Sequence, residues 1–234
     1  MAVYNGEAYL RAQVESILAQ LRPGDALIAV DDASTDGSAA ILASFADPRL
    51  RVERHARNLG VLKTVERALE LAEGEIVLLS DQDDLWLPGR LASVLEAFAA
   101  HPRATMVVSD ATLIDAEGRV TSPSFFALRG RFSGNPLHNL VKNKCLGCTM
   151  AFRRAMLEIF LPIPPDVPMH DIWFGVLNGL YGSACYIDRP LVAYRRHGGN
   201  ASTLTRAGLP RMAAWRLALL RNVAARVARR ALRA

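Results

Sequence analysis

Three carboxylates fall within four residues at Asp81-Gln82-Asp83-Asp84, directly after the apolar run Ile76-Val77-Leu78-Leu79 and Ser80. The run predicts a buried strand, so the acids sit at its carboxyl end. Carboxylates this close repel one another, and burial alone forces some of them to take up protons. A divalent cation relieves both problems: hard Mg²⁺ or Mn²⁺ takes oxygen ligands and keeps positions open for phosphate oxygens. The cluster therefore predicts a site for a metal-bound, phosphorylated substrate. Two other expected strand ends carry acids, Asp31-Asp32 after Ala26–Val30 and Ser109-Asp110 after Thr105–Val108. Further on, His170-Asp171 opens a helix-patterned segment, and His197 follows Tyr194-Arg195-Arg196.

The elements that must position these groups alternate. Leu10, Val14, Ile17, Leu18 and Leu21 recur at helical spacing until Arg22-Pro23-Gly24 stops the helix. After the strand Ala26–Val30, Ser34 or Thr35 is the expected cap of a helix through Ile41, Leu42 and Phe45. Leu50–Val52 reads as a weaker strand, and Val61, Val65, Leu69 and Ala72 as a helical stripe closed by Gly74. Pro88 suits a first helical turn, with Leu91, Val94, Leu95 and Phe98 on one face. This order implies an α/β domain with a mostly parallel sheet flanked by helices, in which ligands bind beyond the carboxyl ends of the strands.

The second half is less regular. Ala116-Glu117-Gly118 predicts a hairpin turn, residues 121–147 a long loop region, Met169–Tyr181 a helix, and Tyr186–Tyr194 a strand pair or one bent strand. Pro210–Ala234 reads as a helix with Met212, Leu219, Val223 and Val227 on one side and Arg211, Arg226, Arg229 and Arg233 on another. A basic amphipathic helix suits either an anionic membrane surface or packing on the body. The expected division is a domain over 1–204 and a basic C-terminal helix over 205–234.

Composition sets bounds on this reading. The 234 residues suffice for one domain with a substantial core, and the net charge of +5 is unevenly placed. Asp188 is the last acid, and eleven arginines follow it. Three cysteines argue against a disulfide scaffold and fit a reducing compartment. The lone Cys145-x-x-Cys148 has no further zinc ligands at suitable spacing and reads as two small, partly buried residues. No leader pattern opens the chain and no window has the length of apolar sequence a spanning helix needs. A cytoplasmic location, with peripheral contact at the inner face of the plasma membrane, is the expectation.

Five blocks, taken together in this order, resemble glycosyltransferase family 2, the inverting nucleotide-sugar transferases with the GT-A fold. They are Val3-Tyr4-Asn5-Gly6, Val30-Asp31-Asp32-Ala33-Ser34-Thr35-Asp36-Gly37, Arg57-Asn58-Leu59-Gly60, Ser80-Asp81-Gln82-Asp83-Asp84-Leu85-Trp86, and Met169-His170-Asp171-Ile172-Trp173. The form of the last two is similar to a bacterial branch that includes rhamnosyltransferases of surface polysaccharides. The resemblance implies a GT-A-like, Rossmann-type domain and a Mg²⁺ or Mn²⁺ cofactor. Asp83 is then the direct metal ligand, and His197 approaches the metal or diphosphate. Ala2, Tyr4, Asp32, Asn58, Gly60 and Asp81 are placed around a nucleoside-diphosphate sugar, with Tyr4 stacked on the base and Asp32 accepting from a pyrimidine imide N–H. Asp84 supports the loop, and Arg195 and Arg196 are placed to meet phosphate. Asp171 becomes the base that takes the proton from an acceptor hydroxyl, its pKa above that of a free aspartate. The acceptor side begins at Gly147-Cys148-Thr149-Met150.

The implied function is transfer of one sugar to a saccharide or lipid-linked acceptor in bacterial surface polysaccharide synthesis, with no nucleic acid partner. The processive signature Gln-x-x-Arg-Trp is absent. One departure from the family pattern stands out: the strand expected before Tyr4 is reduced to Met1-Ala2-Val3. Either the true start lies upstream or the nucleotide pocket is weakened, and the second supports an alternative, a degenerate nucleotide-sugar binder or membrane-surface adaptor without turnover. A sugar nucleotidyltransferase would need a glycine-rich, basic stretch near the start, and Tyr4-Asn5-Gly6-Glu7 is not one.

Overall fold

The computed structural model describes residues 1–131, 134–141, 144–198 and 208–232. The first part runs β1 (Ala2–Val3), α1 (Leu10–Leu18), β2 (Leu27–Asp31), α2 (Ser38–Ala43), β3 (Leu50–Arg54), α3 (Val61–Glu70), β4 (Ile76–Leu78), β5 (Leu85–Trp86) and α4 (Arg90–Ala100). The second part runs β6 (Met106–Ile114), β7 (Val120–Ser122), α5 (Phe125–Arg129), α6 (Pro136–Val141), β8 (Met150–Arg153), α7 (Leu157–Phe160), α8 (His170–Tyr181), β9 (Ala184–Arg195) and α9 (Leu209–Ala231).

Strands β1, β2 and β3 form a parallel sheet, with Ala2 opposite Val30 and Val3 opposite Asp31. A second sheet has the order β4-β8-β6-β9-β5, with β7 paired to β6. Here β6 and β9 are parallel, whereas β4–β8, β6–β8 and β5–β9 are antiparallel. The parallel pairing expected of the first half thus holds in the first sheet, and the second is mixed. Among the described residues a single bridge, Ala2 to Asp81, joins the two sheets. A cavity of about 350 Å³ runs along this seam, lined by Met1, Ala2, Leu27, Ile28, Val77 and Leu79 among others.

The core falls into several clusters, and the one under the first sheet also takes in Trp86 and Leu91. Leu10, Val14 and Ile17 of α1 meet Val3, Leu27, Ala29 and Leu42, all buried. Helix α8 is apolar nearly all round, and Ile172, Trp173, Phe174, Val176 and Leu177 are all buried, as such a pattern requires. Phe152, Phe160 and Phe174 pack ring to ring beside it, with centroids 4.7–5.8 Å apart. Each such side chain contributes roughly 1.5–3 kcal/mol by leaving water. This core fixes the amino end of α8, and with it Asp171.

Several elements differ from expectation for identifiable reasons. Helix α2 begins at Ser38, because Ser34 and Ser38 spend their hydroxyls on the Asn5 and Gly6 N–H groups. Strand β6 continues through Ser109-Asp110 to Ile114, so these residues are not a strand end. The polar side chain is tolerated because Asp110 accepts hydrogen bonds from the Ala111 and Phe126 N–H groups and the Ser124 hydroxyl. Opposite it, β9 is one strand with register shifts, the bent form of the two readings. Cys145 and Cys148 are fully buried rather than partly so.

Helix α9 turns Leu219 and Val223 into the core, as patterned, but Val227 is exposed and Arg226 is buried. Arg226 donates to the Ile159, Leu161 and Pro162 carbonyls and lies over Trp173. Those carbonyls sit beside a helix end that needs donors, a need the helix's own sequence does not reveal. The expected boundary at 204/205 and Arg233 lie outside the described residues.

Candidate functional site

The segment after β1 is held by side chains from two other loops. Asn5 adopts φ 48° and its Oδ1 accepts from the Thr35 N–H at 2.8 Å. The Gln82 amide clamps the Tyr4 backbone twice: its Oε1 accepts from Tyr4 N–H at 2.7 Å and its Nε2 donates to Tyr4 O at 2.9 Å. A Cβ at position 6 would fall 2.6 Å from that amide, so a side chain there would displace Gln82 from its clamp. Tyr4 is itself exposed, which leaves its ring available for stacking. Ala2, through its bridge to Asp81, sets this segment against the acid turn.

Asp32 closes the other wall of this region. Its carboxylate accepts from the Leu59 and Gly60 N–H groups, each at 2.8 Å, and pairs with His55 Nδ1 at 2.9 Å. Burial pushes the Asp32 carboxyl up, but the hydrogen bonds from His55, Leu59, Gly60 and Thr64 together outweigh it and hold the group below its ordinary value. Asp32 therefore shapes the Asn58–Gly60 loop, with Gly60 at φ 85° and Asn58 Nδ2 donating to Asp32 O at 3.4 Å. Asp31 is buried and ion-paired to Arg54 at 3.0 Å.

The acid turn after β4 has the opposite electrostatics. Burial, then the Asp83 charge, pushes the half-buried Asp81 up to about 7. Asp84 is fully buried; burial and the charges of Asp81 and Asp83 push it well above the carboxylate range. One Asp84 oxygen accepts from Arg195 N–H at 2.8 Å. Asp83 Oδ2 lies 2.9 Å from His197 Nε2, and the His197 ring packs on Tyr9. The turn is thus short of positive charge, which is the condition a cation relieves.

The donor chemistry fits a hard divalent ion. Asp83 and His197 are already juxtaposed, and Asp81 lies close enough to feel the Asp83 charge. A second group, Asp81, Asp84 and Cys148, also places its ligand atoms within 4.8 Å of one another. Burial pushes the Cys148 thiol well above its ordinary value, so it stays protonated and is a poor ligand for such an ion.

Asp171 stands in the first turn of α8, half-buried, with burial and then the nearby Asp81 charge raising it to about 7. Its neighbour His170 is buried, and burial drives it down to about 4, so it is neutral. Gly147 allows the close approach: a Cβ there would meet His170 Nε2 at 3.0 Å and Asp171 Cβ at 3.6 Å. The turn that opens the expected acceptor side is thereby placed against Asp171.

The structure brings Ala2, Tyr4, Asp81, Asp83, His197 and Asp171 to one side of the fold, and sets Asp32, Asn58 and Gly60 together on the adjoining loop. Arg195 does not reach out for phosphate. It is buried, donates to the Asp83, Asp115 and Ala116 carbonyls, and stacks over Tyr9. Gln13, Gln82 and His55 escaped the sequence reading. Gln13 did carry a signal, since it sits on the apolar stripe of α1 between Leu10 and Ile17. Its amide donates to Asp81 O at 2.7 Å and Ser80 Oγ at 3.1 Å.

A parallel sheet joined to a mixed one, with acids at the junction and an aspartate at the start of α8, is an α/β architecture of the GT-A type. Residues 1–160 match the family described as Glycosyl transferase family 2, and the chain belongs to it. An uncharacterized protein of Mycobacterium tuberculosis is 28% identical over 200 residues, covering 83% of this chain and 57% of that protein. TuaG of Bacillus subtilis, a glycosyltransferase whose name assigns it to teichuronic acid biosynthesis, is 38% identical over 95 residues, 40% of this chain and 38% of TuaG. Crystal structures of S. aureus TarS 1-349 share the fold. The complex with UDP-GlcNAc superposes with a TM-score of 0.71 at 20% identity, covering 88% of this chain and 60% of that one. The chain thus spans a little over half the length of the Mycobacterium relative it matches.

Proposed function

We propose that this protein is a metal-dependent, inverting glycosyltransferase that moves one sugar from a nucleoside-diphosphate donor to a saccharide or lipid-linked acceptor. The observation that carries this reading is the pairing of a charge-starved acid turn with Asp171, whose carboxyl is raised to about 7 by burial and by Asp81. A group near this value suits general-base work at neutral pH. Asp83 and His197, with Asp81, would hold Mg²⁺ or Mn²⁺. The ion supplies charge neutralisation for the departing diphosphate. Asp171 takes the acceptor hydroxyl proton as the oxygen attacks the anomeric carbon from the face opposite the leaving group. Tyr4 offers a stacking surface for the base, and the loop that Asp32 holds forms the adjoining wall. The UDP and UDP-GlcNAc complexes of TarS support a uridine donor, and the name of TuaG supports a role in surface polysaccharide synthesis.

Peripheral contact with an anionic membrane belongs to the same reading. Among the described residues no helix is long and apolar enough to cross a membrane. Helix α9, however, has a second apolar stripe facing outward, with Leu217, Leu220 and Val227 exposed beside its arginines and no acid on the helix. That combination suits a surface of acidic headgroups.

The test is titration with UDP, dTDP and GDP with and without Mn²⁺, followed by donor hydrolysis and transfer assays. Metal-dependent binding with turnover supports the transferase. Metal-dependent binding without turnover supports the degenerate binder.

A further inference from the structure

Helix α1 carries a polar line beside its apolar stripe. Gln13 and Ser16 lie on the helix and Gln20 just past its end, at three- and four-residue steps that put them on one side. Gln13 is fully buried among Leu10, Val14 and Ile17, where an apolar side chain of its length would pack without the cost of burying an amide. The amide is bonded at both ends. Its Nε2 donates to Asp81 O at 2.7 Å and to Ser80 Oγ at 3.1 Å, and its Oε1 accepts from Ser16 Oγ at 3.0 Å. Ser16 Oγ in turn accepts from Trp86 N–H at 3.0 Å, and Trp86 Nε1 donates to Ser80 Oγ at 2.8 Å. Gln20 Nε2 adds a bond to Leu87 O at 3.1 Å. The remote partners of this line all fall within residues 80–87, the acid turn and its two ends. The turn is thus held residue by residue from separate elements. Gln13 of α1 fixes Asp81 through its carbonyl, the segment after β1 fixes Gln82 through its amide, and His197 meets the Asp83 carboxylate.

We infer that Gln13, with Ser16 behind it, is a positioning residue for the metal–diphosphate site. Buried as it is, Gln13 touches neither ion nor donor; it sets where the turn that carries Asp81 and Asp83 stands before either arrives. Groups held in place from behind bind an ion more tightly, because the turn loses less freedom on binding. The inference rests on the metal-dependent reading above. It adds that a polar line on a core helix prepares the acid turn for its ion.

The experiment compares the wild-type chain with Gln13→Met, Ser16→Ala and Ile17→Val, the last a packing change in the same core cluster. It reads UDP affinity with Mn²⁺, UDP affinity in EDTA, and amide exchange of residues 81–87 in the metal-free protein. Gln13→Met is expected to weaken UDP binding about tenfold or more with Mn²⁺ and less than about twofold in EDTA, because Tyr4 and the Asp32 loop keep their own supports. Exchange across residues 81–87 should quicken at least about fivefold. Ser16→Ala keeps the amide but frees its Oε1, and should show the same pattern at about threefold or more; it decides the matter if Gln13→Met does not fold. Ile17→Val should lower the melting temperature and leave both the Mn²⁺-dependent affinity and the exchange of the turn near wild type. Wild-type affinity with Mn²⁺ in Gln13→Met or Ser16→Ala, equal losses with Mn²⁺ and in EDTA, or an Ile17→Val that matches them would each overturn the inference and leave a packing role. If Mn²⁺ adds nothing to UDP binding by the wild-type chain, the metal-dependent reading fails instead, and exchange alone decides. Quickening confined to residues 81–87 in Gln13→Met and Ser16→Ala then supports the anchor, and unchanged exchange overturns it.

Discussion

Two strand ends carry adjacent acids, Asp31-Asp32 and Asp81 to Asp84, and the fold treats them in opposite ways. At the first, Asp31 meets Arg54, and Asp32 meets two backbone N–H groups and His55. At the second, burial and mutual repulsion raise Asp81 and Asp84, and Asp171 nearby is raised with them. Similar clusters in the sequence are therefore a brace in one place and, on the function proposed, a metal site in the other. The difference lies in who supplies positive charge and N–H donors, and it makes the two ends separable by mutation.

The largest effect should come from Asp171→Asn. Loss of a positioned base is expected to lower transfer by about 10²–10⁴-fold while leaving nucleotide binding intact, as a paired turnover and calorimetry measurement would show. Near-native turnover would remove Asp171 from its role. In the active protein the rate should rise with pH through about 7, because the base works only when deprotonated.

Next is the brace. Asp32→Asn loses a charged acceptor for two N–H groups and should cost about 2–3 kcal/mol, read by denaturant unfolding at pH 7. The sign follows from its lowered pKa. The Asp32 contribution is present above the unfolded value of 3.8 and is lost as pH falls through the lower folded value. If Asp32→Asn unfolds no more easily than wild type, the brace assignment fails.

Mn²⁺ should raise the melting temperature of wild-type protein, by the equivalent of about 2–3 kcal/mol at a hundred times its dissociation constant. The rise should be larger at pH 8 than at pH 5.5, where protons compete for the carboxylates. Asp83→Ala should remove most of it.

The smallest effect has the opposite sign to the brace. Asp81 has a raised pKa, so its stabilising contribution is full below the unfolded 3.8 and is lost as pH rises through about 7. Asp81→Asn removes that penalty and should stabilise the metal-free protein by roughly 1 kcal/mol at pH 8. A destabilised variant would mean the two strand ends are alike after all.

Much of this arrangement is legible in the chain. The first half's alternation placed β2, α3, β4 and α4, and the apolar pattern of 169–181 put Asp171 at a helix start. What stayed hidden depends on distant partners. Ser109-Asp110 looks like a strand end because acids rarely continue a buried strand, and only Ser124 and Phe126, on another element, make continuation possible. The hold of Asp32 on the Asn58–Gly60 loop is equally hidden, because its donors Leu59 and Gly60 arrive from nearly thirty residues away. Arg195 is expected to meet phosphate and Arg226 to lie on a basic helix face, yet carbonyls from remote loops draw both inside. Local periodicity encodes which face is apolar. It does not encode where a buried donor or acceptor finds its match.

The seam between the sheets gives the acid turn a mechanical position as well as an electrostatic one. With Ala2 and Asp81 forming the one bridge across it among the described residues, any ligand that immobilises Asp81 also staples the two sheets together. Loading the turn should then be felt as slowed amide exchange in Ala2–Val3 and Leu27–Asp31, a stiffening that reports occupancy without any sugar being moved.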